Sequence, residues 1–390
     1  MKKILFINDN SLKGGSAQVT NDTKKCFDDR GWKSYTFFGS TYFNFNPRNY
    51  IFNINAYKKL KTTLEKTTPD VVHIHNYDNL LSPLILLAIY LHKKKNTYCK
   101  IIMTVHDYHI ISPSNSLSYY KGKEKAFFVT PPSFLKLLTS KLDRRSYIHG
   151  LARILQWYIY YSLFDLRKVI DTYICPSNFI YNLLPFENKK LIYNPINNLN
   201  AFNNNIKKCD SQIMITFAGR LTKDKGIYDF LECICNCYTS SQKLLSINIF
   251  GEGELKEKII RLKEKLKEKN IDIILYGFKD KNYIQEILNK SHYILLPSLC
   301  YENAPLSLIE GIFSKCKVIT MNYGGMKEIA EKSKNSILLN NITTSEIKKM
   351  ITTINKQYKN EAGFYSHSQY NKYSLEYYYK EINHTLEKIL

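Results

Sequence analysis

The 390-residue chain lacks several features that would each have assigned it to a class at once. Its longest apolar run, Leu80 to Leu91, is interrupted by Ser82 and Pro83 and falls well short of the roughly 20 residues of a membrane-spanning helix. The basic and then apolar start, Met1-Lys-Lys-Ile-Leu-Phe-Ile, stops at Asn8. That is too short for a signal-peptide core and reads as a first strand. Nine cysteines are an odd count with no framework spacing, so a reduced, cytoplasmic chain is expected. Cys233, Cys235 and Cys237 lie two apart on a predicted helix and so point in different directions. His73 and His75 share a strand face but have no companion ligand cluster, so no metal site is expected. No RNP, zinc-finger or helix-turn-helix signature occurs, which argues against nucleic acid as a partner.

Acidic residues are also scarce: 34 Asp+Glu face 56 Lys+Arg, a formal charge of +22. The excess is uneven. Residues 1–200 hold 28 basic against 13 acidic side chains, a net of +15, and the remainder 28 against 21, a net of +7. A basic half suits an anionic partner, whether a membrane surface, nucleic acid or a charged acceptor.

Other features point to a folded protein. The hydrophobic fraction of 44% excludes disorder, and the length calls for two domains. Strand-like runs at Ile4–Ile7, Val71–Ile74, Ile101–Val105, Tyr173–Cys175 and Leu191–Tyr193 are separated mostly by helical stretches. A second alternation starts at Ile213, with strands near Leu245–Phe250, Ile271–Leu275, Tyr293–Leu296 and Lys317–Thr320. Alternation of this kind predicts α/β domains with parallel sheets. The Asn-rich stretch Asn194–Asp210 reads as the linker between them.

Two segments carry the chemistry. In Pro297-Ser-Leu-Cys-Tyr-Glu302-Asn303-Ala304-Pro305, followed by Leu-Ser-Leu-Ile-Glu310, Pro305 suits the first position of a helix and Asn303 can cap the turn before it. Glu302 then precedes the helix and Glu310 lies about 7.5 Å along its axis. Two carboxylates flank a positive helix end, where a diphosphate would sit, and each can accept from sugar hydroxyls. Upstream, the apolar strand Ile213 to Gly219 leads into Arg220, Lys223, Lys225 and Gly226, a second place to grip phosphate oxygens.

Together these segments resemble the donor half of family-4 glycosyltransferases. The family's Gly-Arg-Leu-x-x-x-Lys-Gly pattern reads Gly219-Arg220-Leu221 through Lys225-Gly226, its Gly-x-Gly reads Gly251-Glu252-Gly253, and its Glu-x7-Glu runs from Glu302 to Glu310. Asp70 to His75, Thr104-Val-His106-Asp107-Tyr108, Cys175-Pro-Ser177 and Tyr193-Asn194-Pro195 also fit.

The resemblance implies a GT-B fold, with two Rossmann-like domains facing across a cleft. An acceptor-side domain would span residues 1–195, a linker 196–211, and a nucleotide-sugar domain 212–371. A C-terminal helix, 372–390, would cross back to the first domain. It implies sugar transfer with retention, with His106 beside the donor sugar, Glu302 on sugar hydroxyls and Glu310 on the ribose. Gly14, Gly15, Arg220, Lys225, Gly251, Gly253, Phe278, Asn303 and Ala304 would complete the donor site. No Asp-x-Asp pair occurs anywhere. Protein cations would then replace a metal on the diphosphate, so no metal and no cofactor beyond the nucleotide sugar are expected.

The chain departs from the pattern at Ser16-Ala17-Gln18, at Glu254, and at Lys315 and Lys317, where Gly and Pro are common. Residues 116–170 fit the family poorly. They hold ten Lys/Arg interleaved with aromatics, as in a basic amphipathic helix lying on anionic lipid or a helix packed on the core. The expectation is a peripheral enzyme on the inner face of the plasma membrane, with a lipid-linked or oligosaccharide acceptor, in capsule or lipopolysaccharide synthesis. The alternatives are a GT-B epimerase and a basic nucleic-acid-binding protein.

Overall fold

The computed structural model describes all residues except 13, 45, 47–48, 123, 129–131, 198–207, 239–243, 361, 364–366 and 390. The chain divides into two units. Residues 1–197 and 372–390 form the first, and residues 198–371 the second. Most of the linker expected at 196–211 lies outside the described residues.

In the first unit the strands are β1 (Lys3–Asn8), β2 (Lys33–Phe38), β3 (Val71–Ile74), β4 (Lys100–Thr104), β5 (Ser118–Lys121), β6 (Glu124–Phe127), β7 (Thr172–Cys175) and β8 (Lys189–Leu191). The helices are α1 (Gly15–Asp28), α2 (Gly39–Tyr42), α3 (Ile54–Thr67), α4 (Ile85–Lys95), α5 (Phe134–Thr139), α6 (Tyr147–Trp157) and α7 (Asn178–Leu183). Six strands form a parallel sheet in the order β2-β1-β3-β4-β7-β8. Strands buried on both faces read as continuous apolar runs, which is why Ile4 to Ile7 is fully buried.

The second unit contains β9 (Ile213–Ala218), β10 (Leu245–Phe250), β11 (Ile271–Gly277), β12 (Tyr293–Leu296), β13 (Lys317–Met321) and β14 (Ile337–Leu339). They pair in parallel in the order β11-β10-β9-β12-β13-β14. Its helices are α8 (Ile227–Cys237), α9 (Lys256–Lys267), α10 (Lys281–Lys290), α11 (Leu306–Phe313), α12 (Gly324–Glu331), α13 (Thr344–Gln357) and α14 (His367–Asn371).

The last helix, α15 (Leu375–Ile389), belongs to the first unit. Tyr378, Ile382 and Leu386 join Ile4, Phe6, Phe27 and Trp32 in one core. Trp32 Nε1 donates to the Tyr379 hydroxyl at 3.2 Å, and the Ile196 N–H donates to the Tyr373 carbonyl at 2.8 Å.

Several local expectations need correction. The strand expected at Leu191–Tyr193 ends at Leu191. The half-polar strand β2 (KSYTFF) was not anticipated. Its burial is only partial at the sheet edge, so it lacks the apolar run that marks the central strands. The segment 116–170 is not one amphipathic helix. It is the hairpin β5–β6, turned at Gly122 with φ of 61°, followed by α5, α6, a π-helical turn Tyr158–Leu163 and a 3-10 turn Leu166–Val169. Ser146 starts α6 by accepting from the His149 N–H. Leu137, Leu142 and Ile154 pack with Phe128 in a small separate core. What this segment shows to solvent is chiefly apolar: Leu135, Ile148, Leu151, Leu155, Leu163 and Phe164 are all exposed.

Candidate active site

In open parallel sheets a ligand lies outside the carboxyl ends of the strands, where successive connections leave a strand's two sides. In the second unit β9 has β10 on one side and β12 on the other, so that point lies between β9 and β12. The two sequence motifs follow these two strands. After β9 the chain passes Gly219 and Arg220 into a single 3-10 turn, Lys223–Lys225. Gly226 ends that turn in the left-handed region, φ 65°, and a Cβ there would lie 2.0 Å from the Pro297 carbonyl oxygen. Only glycine lets the two loops come this close. The Leu299 N–H donates to the Asp224 carbonyl at 2.8 Å, and Ser298 Oγ to the same oxygen at 3.2 Å.

This contact brings Lys225 and Glu302 into a mostly buried ion pair, with 16% and 18% of the two side chains exposed. Ser298 Oγ at 2.7 Å and Cys300 Sγ at 3.3 Å also donate to Glu302 Oε1. Burial opposes both charges, but each stabilises the other. The Glu302 carboxyl is held below its ordinary range and the Lys225 ammonium above its own.

Glu310 is the fifth residue of α11, and its Oε1 lies 3.2 Å from Nζ of Lys281 on α10. Helix α11 begins at Leu306, with Pro305 rather than Asn303 at the capping position and no side chain capping it. Proline has no N–H to satisfy, and its backbone here is extended (φ −67°, ψ 112°), so it ends the loop instead of opening the helix. Asn303 is buried and Ala304 half-buried in that loop. The Asn303 carbonyl packs against Gly325, where a Cβ would fall 1.5 Å from its oxygen. Arg220 is 70% exposed and reaches Asp224 at 3.4 Å.

Gly251 and Gly253 serve the protein's own backbone. A Cβ on Gly251, φ 126°, would lie 1.9 Å from the Gly219 carbonyl oxygen, and one on Gly253 2.4 Å from that of Leu221. The Leu221 N–H donates to the Glu252 carbonyl at 3.0 Å, locking the two motif loops together. Phe278, just beyond β11, is 81% exposed.

In the first unit the edge is built differently. Gly14, φ 94°, precedes α1, which opens at Gly15 with no side-chain cap. His106 follows β4 and is half-buried. Its Nε2 lies 2.8 Å from His75 Nδ1, and the rings stack at 5.1 Å. His73 Nε2 lies 2.8 Å from Thr104 Oγ1. Burial pushes His106 down to about 4 and His73 to about 3, and His75 is also lowered, so all three rings are neutral at pH 7. Asp9 accepts from the N–H groups of Asn79, Leu80 and Leu81 at 2.9–3.0 Å. Burial and the nearby Asp78 push its carboxyl up to about 7, and burial with the same neighbour raises Asp107. Among the described residues no group of three or more His, Cys, Asp or Glu is placed to hold a metal ion.

The structure therefore brings Lys225 to Glu302 and sets Arg220 on the same loop. It places His106, Gly14 and Gly15 at the carboxyl edge of the other sheet. Sequence reasoning missed Lys281, Gly324-Gly325, Asp9 and the pairing of His75 with His106. The Gly-Gly pair, separated from the end of β13 by two residues, is a legible signal. The others depend on contacts between distant segments.

Known proteins of similar fold and sequence are these. A solved structure of HepE from Anabaena, in complex with UDP and glucose, superposes with a TM-score of 0.65 at 15% identity over 100% of both chains. The chain has the GT-B fold of that class of protein. Residues 200–371 match the family model for glycosyl transferases group 1. The chain is also 24% identical over 298 residues to an uncharacterized 42.6 kDa protein in the cps region of Klebsiella pneumoniae, covering 75% of this chain and 68% of that one. It is 22% identical over 255 residues to the uncharacterized glycosyltransferase MJ1607 of Methanocaldococcus jannaschii, covering 60% of this chain and 63% of that protein.

Proposed function

We propose that the protein is a retaining, metal-independent hexosyltransferase. It moves a sugar from a nucleoside-diphosphate sugar to a lipid-linked saccharide in the synthesis of a surface polysaccharide. The observation that carries this reading is the mostly buried Lys225–Glu302 pair at the point where the β9 and β12 connections diverge. Lys225 and Arg220 neutralise charge that develops on the leaving diphosphate, which is where preorganised cations lower a barrier most. Lys225, Ser298 and Cys300 all converge on Oε1 of Glu302, which leaves Oε2 to accept from a donor-sugar hydroxyl. Glu310 accepts from the ribose, and the exposed ring of Phe278 stacks on the base. His106 is held neutral by burial and serves as a hydrogen-bonding partner for the donor sugar rather than as a cation. The UDP-bound state of HepE supports a uridine nucleotide, and the cps-region relative supports a capsular product.

Docking on the inner membrane face belongs to the same reading. Exposed Ile148, Leu151, Leu155 and Tyr158 form a stripe along α6 and its continuation, with the i, i+3, i+7 spacing of one helix face, in the half of the chain with net charge +15. Among the described residues no helix is long and apolar enough to cross a membrane.

Thermal-shift measurements with UDP, GDP and dTDP test the donor reading, since ligand binding raises apparent stability by mass action. One nucleotide should stabilise the wild type, and Glu310→Ala should abolish that shift. Glu302→Ala should keep the shift but lose transfer. Transfer should survive excess EDTA. No shift with any nucleotide, or transfer that requires Mg²⁺, would overturn the reading.

A further inference from the structure

The first unit contains a cavity of about 470 Å³ that the reaction described above does not use. Its walls include Asn115, Ser116, Lys125, Arg144, Arg145 and Arg153. Among the described residues it carries four cations and one carboxylate, Asp143. Asp143 is buried and already engaged: Arg145 Nε and Nη2 donate to its two oxygens at 2.9 Å each, and Arg153 Nε donates at 3.2 Å. The carboxylate therefore acts as a brace. It fixes the planes of two guanidinium groups and neutralises only one of the four charges. Asn115 stands at the wall with its amide nitrogen donating to Asp78, and Ser116 adds a hydroxyl paired with Ser118 at 2.8 Å. A volume of this size is that of a small-molecule site, and fixed guanidinium groups match phosphate oxygens bidentately.

The position of the cavity suggests what the anion belongs to. The segment leaving β4 carries His106 at its start and Asn115 and Ser116 further on, at the cavity wall. Asn79, also at the wall, donates its N–H to Asp9 at the end of β1 at 2.9 Å. The cavity thus takes part of its wall from the segments that leave β3 and β4 at the carboxyl edge of the sheet. Its other wall is α6, which supplies Arg153. Leu151 and Leu155, two residues to either side of Arg153, are exposed, and two residues is about 200° around a helix. One helix therefore offers a cation to the cavity and an apolar stripe to the opposite side.

We propose that this cavity binds the phosphate or diphosphate group through which the acceptor is attached to its carrier, an inference that rests on the glycosyltransferase reading above. Farnesyl diphosphate and inorganic diphosphate are the probes, titrated into the full chain and followed by calorimetry. Farnesyl diphosphate should bind the wild type. The double variant Lys125→Ser/Arg144→Ser should weaken it at least tenfold while its thermal midpoint and nucleoside-diphosphate shift stay unchanged. Arg220→Ala should show the reverse pattern, keeping farnesyl diphosphate and losing the nucleotide. If the double variant does not fold, Arg144→Gln alone should still weaken the probe severalfold. Displacement of farnesyl diphosphate by equimolar inorganic diphosphate assigns recognition to the anion itself, and failure to displace it assigns recognition to the lipid-linked group. Either result supports the site. Equal affinity in wild type and double variant overturns it. A nucleotide shift that is missing while farnesyl diphosphate still binds overturns only the donor reading.

Discussion

The carboxyl edges of the two sheets are furnished in opposite ways. In the second unit the titratable groups are charged and paired, Lys225 with Glu302 and Lys281 with Glu310. In the first they are largely withdrawn from water and shifted towards their uncharged forms. His73, His75 and His106 are pushed below the histidine range, and Asp9 and Asp107 above the carboxylate range. On the proposed reading the difference matches two tasks. Departure of a diphosphate needs cations fixed in place before charge develops. A sugar or hydroxyl acceptor needs hydrogen-bonding groups that carry no competing charge.

The largest expected effect comes from breaking a charged pair on one side only. Lys225→Met leaves the mostly buried Glu302 with no cation beside it. That should destabilise the protein by about 3–5 kcal/mol and lower kcat/KM by about 10²–10³. Lys225→Met/Glu302→Leu should recover most of the stability and none of the transfer. Urea unfolding of both variants alongside a transfer assay checks this. A single variant as stable as wild type would mean the pair is not buried in solution.

Next in size is the strut that holds the charged edge together. Gly251→Ala places a methyl group 1.9 Å from the Gly219 oxygen at a left-handed φ, a strain of about 1–3 kcal/mol from the backbone alone. It should lower the unfolding midpoint, with a loss of nucleotide-induced stabilisation as the β9 loop shifts.

The neutral edge is tested by pH. The folded pKa of Asp9, about 7, lies above the unfolded value of about 3.9. The folded state therefore binds more protons than the unfolded state between them. The contribution of Asp9 to stability is fully present below pH 4 and is lost as pH rises towards 7. Asp9→Asn should flatten stability against pH over that window in thermal unfolding. In contrast, His106, titrating near 4, should give no limb in the pH–rate profile between pH 6 and 8.

The smallest effect concerns Lys315, which stands in the left-handed region at φ 54° just after α11. This is the position where the family resemblance led us to expect glycine. Lys315→Gly should stabilise by about 1 kcal/mol without changing transfer, measurable as a raised denaturation midpoint.

The sequence alone made the parallel α/β architecture and the order of the donor motifs legible. Both depend on local signals: continuous apolar runs for strands buried on two faces, and glycine or basic residues directly after them. It also marked Glu302, Glu310, Arg220, Lys225 and His106, because their spacing from strand and helix ends is a local property. It misjudged 116–170, where net charge suggested a basic face. Arg145 and Arg153 turn to Asp143, Arg167 turns to Asp165, and exposed leucines and an isoleucine take much of the surface. Only the tertiary structure decided which charge meets which. Lys225 finds Glu302 across 77 residues, His75 finds His106 across 31, and Gly251 and Gly253 turn out to receive the backbone of Gly219 and Leu221. Pairings of this kind are set by strand order and by which loops the sheet places side by side. No residue pattern encodes them until the strands have taken their places.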